Sequence, residues 1–125
     1  MFPPVFEVAD ASAAVRAELD SGDAMRLWPF GKARQKETRP YAVWQVVYGN
    51  PSNSLSCIPS EDLYGCQIDT YAKTASESRK VAEVLRDAYE ASFYPVVSYN
   101  GEDWEQATGL YRDSLTVEFW TERSS

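Results

Sequence analysis

The chain of 125 residues contains no histidine. This absence removes the commonest general base, the usual partner of a nucleophilic serine or cysteine, and the commonest metal ligand. The six glycines form neither a P-loop nor a dinucleotide-binding pattern. Carboxylates could still support hydrolysis, but none of the 19 acidic residues falls in a recognisable catalytic motif. The sequence therefore predicts a protein that is not an enzyme and that holds no metal and no cofactor.

Cysteine is scarce as well, because only Cys57 and Cys66 are present. Two cysteines are too few for a secreted disulfide framework, and their spacing is not that of a zinc site. We expect both to be reduced and Cys66 to be a small core residue. No apolar run approaches the length that spans a bilayer, and the first residues lack the pattern of a signal peptide. The expectation is a chain that stays in the cytoplasm where it is made and contacts no membrane.

Composition is that of an ordinary globular protein. Hydrophobic residues make up 44% of the chain and charged residues 25%. No internal repeat or low-complexity segment interrupts it. At this length the chain is expected to form one domain over residues 1–125.

Basic charge is concentrated in one segment, GKARQKETR at residues 31–39, which we call the basic loop. It contains Lys32, Arg34, Lys36 and Arg39. With Glu37 included its net charge is +3, so the rest of the chain carries −10 within a total of −7. A basic segment on an acidic body indicates contact with an acidic surface: another copy, a different protein or nucleic acid. The alternative is a loop that is basic only for solubility. The acidity of the whole chain argues against wrapping duplex DNA.

Two helices are predicted. The first follows Pro3 and Pro4 and ends near residues 21–22, with an apolar stripe formed by Val8, Ala11, Val15 and Leu19. The second opens with a capping box at Thr74 and Glu77 and ends near residue 91.

Five strands are predicted from β-branched and aromatic runs, at residues 25–30, 41–48, 64–71, 94–99 and 111–121. Residues 49–62 are rich in turn formers and predict a long loop, and Asn100-Gly101 predicts a hairpin turn. The fold class is therefore α+β, a mostly antiparallel sheet with two helices packed on one face and long hairpin-like loops.

The strand at residues 41–48, YAVWQVVY, is apolar on both of its alternating sides. Both faces should then be covered, either by another subunit or by loops of the same chain. Trp44, Val46 and Tyr48 are accordingly candidate subunit-interface residues.

Several phrases occur in a characteristic order and spacing: FPPVF (2–6), RLWPFG (26–31), PYAVWQVVYGNP (40–51), YGCQIDTYAKTASESRKVAEVLRDA (64–88) and GLYRDSLTVEFW (109–120). Taken together they resemble the tail terminator, or tail completion, proteins of long-tailed bacteriophages and prophages. The resemblance covers nearly the whole chain, although each phrase alone would suit many small domains.

The resemblance implies a structural protein of the virion tail, assembled in the host bacterial cytoplasm. Such proteins form a hexameric ring on the last ring of the tail tube, which ends polymerisation and presents the surface for head joining. The implied partners are copies of the chain, the major tail tube protein, the head–tail connector or stopper protein, and passing genomic DNA in brief contact. The basic loop would face the tube or lumen, or contact a neighbouring subunit.

Three other functions remain open. Head-closure and head–tail adaptor proteins of the same viruses are of similar size and also form rings. A small enzyme would have to use carboxylates such as Asp69 or Glu118, but a strand residue on a wet face is the simpler interpretation of Asp69. A small regulatory module could use the basic loop to bind host nucleic acid, and its binding would then be sensitive to salt.

Overall fold

The computed structural model describes residues 3–20, 22, 24–33, 37–51 and 61–122. Arg34 and Lys36 of the basic loop, and Cys57, lie outside the described residues.

The described chain forms a five-stranded sheet with the order β1-β2-β3-β5-β4 and three helices packed against it. The strands are β1 (Leu27–Pro29), β2 (Tyr41–Pro51), β3 (Glu61–Ala72), β4 (Val96–Glu105) and β5 (Leu110–Glu122). The helices are α1 (Val5–Asp10), α2 (Ala13–Leu19) and α3 (Ala75–Ala91). Among the described strands, only the β1–β2 pair is parallel. The predicted α+β class with a mostly antiparallel sheet is confirmed.

The prediction of one continuous N-terminal helix is wrong. The chain breaks at Ala11, and the Ser12 side chain accepts a hydrogen bond from the backbone N–H of Val15, which caps a second helix. Because the second helix starts anew after this break, its buried side does not continue the predicted stripe. The buried residues are Val5, Ala9, Val15 and Leu19, whereas Ala11 is exposed.

Helix α3 has the predicted bounds. The Thr74 hydroxyl accepts a hydrogen bond from the backbone N–H of Glu77 at 3.1 Å, as the capping motif requires. Its buried stripe consists of Ser78, Val81, Ala82, Val84, Leu85, Ala88 and Tyr89. The Tyr89 hydroxyl donates to the backbone carbonyl of Val5 at 2.9 Å, which fixes α1 against α3.

The core lies between the helices and one face of the sheet. Ile68, Cys66, Val117 and Phe119 are buried there on neighbouring strands. Cys66 is fully buried, as predicted, and burial raises the pKa of its thiol to about 12. The opposite face has no helix over it among the described residues, and we call it the open face.

Two loop predictions are wrong. Strand β4 continues through Asn100 and Gly101, where the pairing register with β5 shifts and Gly101 adopts a φ of +110°. A glycine at positive φ therefore marks a bulge rather than a hairpin turn. The reversal occurs at residues 106–109, where the N–H of Gly109 donates to the carbonyl of Glu105 at 2.8 Å. Strands β2 and β3 also extend into both ends of the predicted loop at residues 49–62.

None of the described helices combines the length and the apolar character needed to cross a membrane.

Candidate assembly surfaces

Strand β2 is flanked by β1 along only part of its length. Strand β1 pairs with Ala42, Val43 and Trp44, so the outer edge of β2 from Val46 onward has no strand beside it among the described residues. The side chains of Val46, Val47 and Tyr48 are exposed along this part of the strand. We call this edge, together with Lys32, Glu37 and Arg39 of the basic loop, the β2 margin.

The three predicted interface residues lie in different surroundings. Trp44 is half-buried and packs against the core, opposite Ile68 of β3. Val46 is the last residue before a register shift in β2 and is exposed. Tyr48 follows that shift and crosses the open face. Val46 and Tyr48 thus present exposed surface, whereas Trp44 packs in the core of the monomer.

The Tyr48 ring lies directly over Gly65, where an added Cβ would overlap it. Its hydroxyl donates to the Glu118 carboxylate at 2.6 Å, a bond that raises the pKa of Tyr48 to about 12 and keeps the phenol protonated. The small residue at position 65 is therefore required for the ring to lie flat.

The first half of β2 is covered by its own chain on the open face. Tyr41 is buried and stacks on Tyr71 with ring centroids 4.9 Å apart. Phe30 and Gly31 line one side of a cleft of about 380 Å³ over these strands. The cover over Tyr41 comes from the ring of Tyr71 on the neighbouring strand.

The structure describes two of the four basic residues of the basic loop, and the contacts of these two residues differ. Arg39 binds Glu37 through two hydrogen bonds of 3.0 and 3.1 Å, and these bonds lower the pKa of Glu37 to about 2. Lys32 is exposed, and its backbone N–H donates to the carbonyl of Pro29 at 3.0 Å, which forms a turn directly after β1. Among the described residues Lys32 forms no ion pair.

The opposite edge of the sheet is formed by β4, and no described strand covers its outer side. Val97, Tyr99 and Trp104 are exposed along it. The strand has two register shifts, a feature that limits indiscriminate pairing at sheet edges. We call this edge and the groove beside it the β4 margin.

The groove lies between α3 and β4 and has a volume of about 300 Å³. Its lining consists of Arg79, Ala82, Glu83, Arg86, Val96, Tyr99, Glu102, Asp113 and Leu115. Asp113 is only 2% exposed, and one of its oxygens accepts a hydrogen bond of 2.6 Å from the Tyr99 hydroxyl. Burial and this hydrogen bond raise the pKa of Tyr99, so the phenol remains a donor. The sequence did not predict this site, because its residues are spread over positions 79 to 115.

An aromatic residue ends α3 where glycine is usual. Phe93 adopts a φ of +69° while its N–H donates to the carbonyl of Glu90 and the N–H of Tyr94 donates to that of Tyr89. This is the Schellman pattern of helix ends, in which the left-handed residue is most often glycine. The Phe93 side chain is 93% exposed, so no packing within the monomer compensates for the strained backbone at this residue.

The carboxylates considered for an enzyme have simple roles. Asp69 is buried on the open face and accepts hydrogen bonds of 3.1 and 3.2 Å from the Gln67 amide. Glu118 accepts the hydrogen bond from Tyr48. Within the described part of the chain, no group of three or more His, Cys, Asp or Glu residues could hold a metal ion.

Comparison with known proteins identifies a family that the sequence matches and a solved structure with a similar fold. The family model described as Tail completion protein gp17 matches residues 3–122. Among solved structures, a chain from the virion of a native gene transfer agent particle is similar, with a TM-score of 0.64 and 11% sequence identity. That similarity covers 95% of this chain and 92% of the other. No curated protein matches the sequence.

Proposed function

Since the chain belongs to the family of Tail completion protein gp17, we propose that it caps the phage tail tube as a hexameric ring. In this role the ring ends tube polymerisation and forms the surface to which the head joins. The family itself makes the chain a structural and assembly protein of the phage tail, and this agrees with a role that involves no catalysis.

The observation that carries the ring is the difference between the two margins of the sheet. The β2 margin presents a partly bare strand and a basic loop, and the β4 margin presents a second bare strand and a groove with a buried acid. Contacts between unlike surfaces generate rings when the rotation closes, whereas twofold dimers use one surface twice. Two unlike margins at opposite ends of one sheet therefore favour head-to-tail association of copies.

The partners follow from this position in the particle. We infer that one side of the ring binds the last ring of the major tail tube protein and that the other binds the head–tail connector or stopper protein. Genomic DNA passes through the ring and makes brief contact at most, because the chain has a net charge of −7. The fold shared with a chain of a gene transfer agent virion supports a place in such a particle.

The experiment is a tube-growth assay with two readouts. Purified protein is added to polymerising tail tube protein, tube lengths are measured by electron microscopy, and native mass is measured over a range of concentrations. We expect growth to stop at capped ends and a species of about six subunits to appear on tubes or at high concentration. Tubes of unchanged length distribution, with a protein that remains monomeric in their presence, would contradict the proposal.

A further inference from the structure

We propose that the α3–β4 groove is a socket for the Lys32 ammonium group of the adjacent copy. The assignment rests on the proposed ring and names a pair of side chains that would hold neighbouring subunits together.

The chemistry of the groove suits a lysine. Its walls include Ala82, Val96 and Leu115, which can pack against the methylene groups of the stem. Asp113 lies among the lining residues with a nearly completely buried carboxylate. Tyr99 donates one hydrogen bond to that carboxylate, which retains capacity to accept from an ammonium group.

The charges of the groove also favour a cation. Arg79 is bound to Glu102 by two hydrogen bonds of 2.6 and 3.0 Å, and Arg86 is bound to Asp87 at 3.2 Å. Arg79 also interacts electrostatically with Asp113, but no described cation lies within hydrogen-bond distance of the carboxylates of Asp113 and Glu83. A buried carboxylate to which no cation donates a hydrogen bond is costly, so a ligand that supplies such a donor is bound more tightly than a neutral ligand.

Strand order places the two groups at opposite margins of the sheet. Lys32 follows β1 at one end of the strand order, and the groove lies beside β4 at the other end. Three strands separate β1 from β4 within one subunit, whereas head-to-tail contact sets these opposite margins side by side. The turn at Pro29 fixes the backbone of Lys32, so less order has to be imposed when it binds.

The test is a double-mutant cycle on ring formation. Lys32→Gln and Asp113→Asn each remove one charge, and the amide oxygen of asparagine can still accept from Tyr99. We expect each change to raise the concentration for half-assembly by about 10- to 100-fold, the usual value of a hydrogen bond to a charged group. The double variant should have a concentration for half-assembly no higher than that of the more impaired single variant, because the two substitutions remove the same interaction. Lys80→Gln, at an exposed position on α3, should assemble as the wild type does.

A disulfide between copies gives a second measurement. In a Cys57→Ser background, Lys32→Cys combined with Glu83→Cys should yield a ladder of covalent oligomers on oxidation. The pair Lys73→Cys and Glu83→Cys should yield none. Urea unfolding of each variant identifies any loss of assembly that comes from a damaged fold.

The outcomes separate the two proposals. Rings that form normally in the Lys32→Gln and Asp113→Asn variants, or additive losses in the cycle, would overturn the socket and leave the ring intact. A wild-type protein that stays monomeric even on tail tubes would overturn the ring and the socket together.

Discussion

The two margins of the sheet differ in how much of their edge strand another strand covers. On the β2 margin, β1 covers three residues and the remaining edge carries Val46, Val47 and Tyr48. On the β4 margin no described strand covers any residue, and two register shifts interrupt the regular edge. Two edges that differ in cover and in side chains can select different partners.

The largest effect is expected from blocking one margin at a time. Val46→Asp and Trp104→Asp should each give a folded monomer. The monomer should fold because both side chains are exposed, and it should not assemble because assembly would bury an unpaired charge. Mixed together, the two variants should form dimers and nothing larger, since each retains one intact margin. Native mass measures the species.

Phe6→Asp is the matched control for this experiment, because Phe6 is an exposed aromatic on α1, a helix whose main contacts are with α2 and α3. The Phe6→Asp variant should form rings of the same mass as the wild type. Full rings from either margin variant alone would show that the margins are not the contacts.

The two halves of β2 should differ in their effect on monomer stability. Trp44→Ala removes a side chain packed against the core and should lower the free energy of unfolding by about 2–4 kcal/mol. Val46→Ala should cost less than about 1 kcal/mol, since Val46 is exposed. Urea denaturation gives both values, and equal losses would remove the distinction between the covered and bare halves.

Gly65→Ala should destabilise the β2 side of the sheet by about 1–2 kcal/mol, because Tyr48 must leave its position and lose the bond to Glu118. In a Tyr48→Ala background the same change should be nearly neutral, since no ring remains to be displaced. Additive losses in urea denaturation would mean that another contact makes Gly65 necessary.

Phe93→Gly, near the start of β4, should raise the free energy of unfolding by about 0.5–1 kcal/mol. Glycine adopts positive φ without the steric cost that phenylalanine bears, although part of the gain is offset by greater freedom of the unfolded chain. Thermal or urea unfolding measures the change. A clear loss of stability would mean that the exposed ring makes contacts which the monomer fold needs.

The smallest effect concerns pH. Glu37 on the β2 margin is 7% exposed and Glu102 on the β4 margin 38%, and each is held by an arginine. Because the folded pKa of Glu37 is lowered from 4.5 to about 2, its contribution to stability is present above pH 4.5 and is lost as pH falls toward 2. Glu37→Gln should therefore lower the urea midpoint at pH 7 and match the wild type near pH 2. Glu102→Gln should do less at any pH, since solvent screens that pair more strongly.

Local signals explain which elements the sequence predicts well. The capping threonine and the apolar stripe give α3 its bounds, and strict alternation gives β5 to within a residue at each end. The N-terminal helix failed because Ser12 acts as a cap inside an otherwise helical pattern. The turn at Asn100-Gly101 failed because the same residues suit a bulge, and pairing with β5 decides between the two.

The proposed assembly surfaces could be predicted from the sequence only where a single segment of the chain forms them. The basic loop is visible as a run of charge, and Val46 and Tyr48 follow from a strand that is apolar on both sides. The groove requires that Arg79, Tyr99 and Asp113 meet, and this depends on how α3 lies over β4 and β5. Asp113 interrupts an apolar face of β5 in the sequence, and that interruption is the one signal that could have pointed to it.

The buried thiol of Cys66 makes the chain its own reporter of unfolding. A group with no exposed surface and a pKa of about 12 is protonated and shielded at neutral pH, so alkylating reagents can reach it only when the sheet and helices separate. The rate at which Cys66 gains a mass label therefore measures how often a subunit opens. The same measurement can be made on the free protein and inside a finished particle, without adding any probe to the sequence.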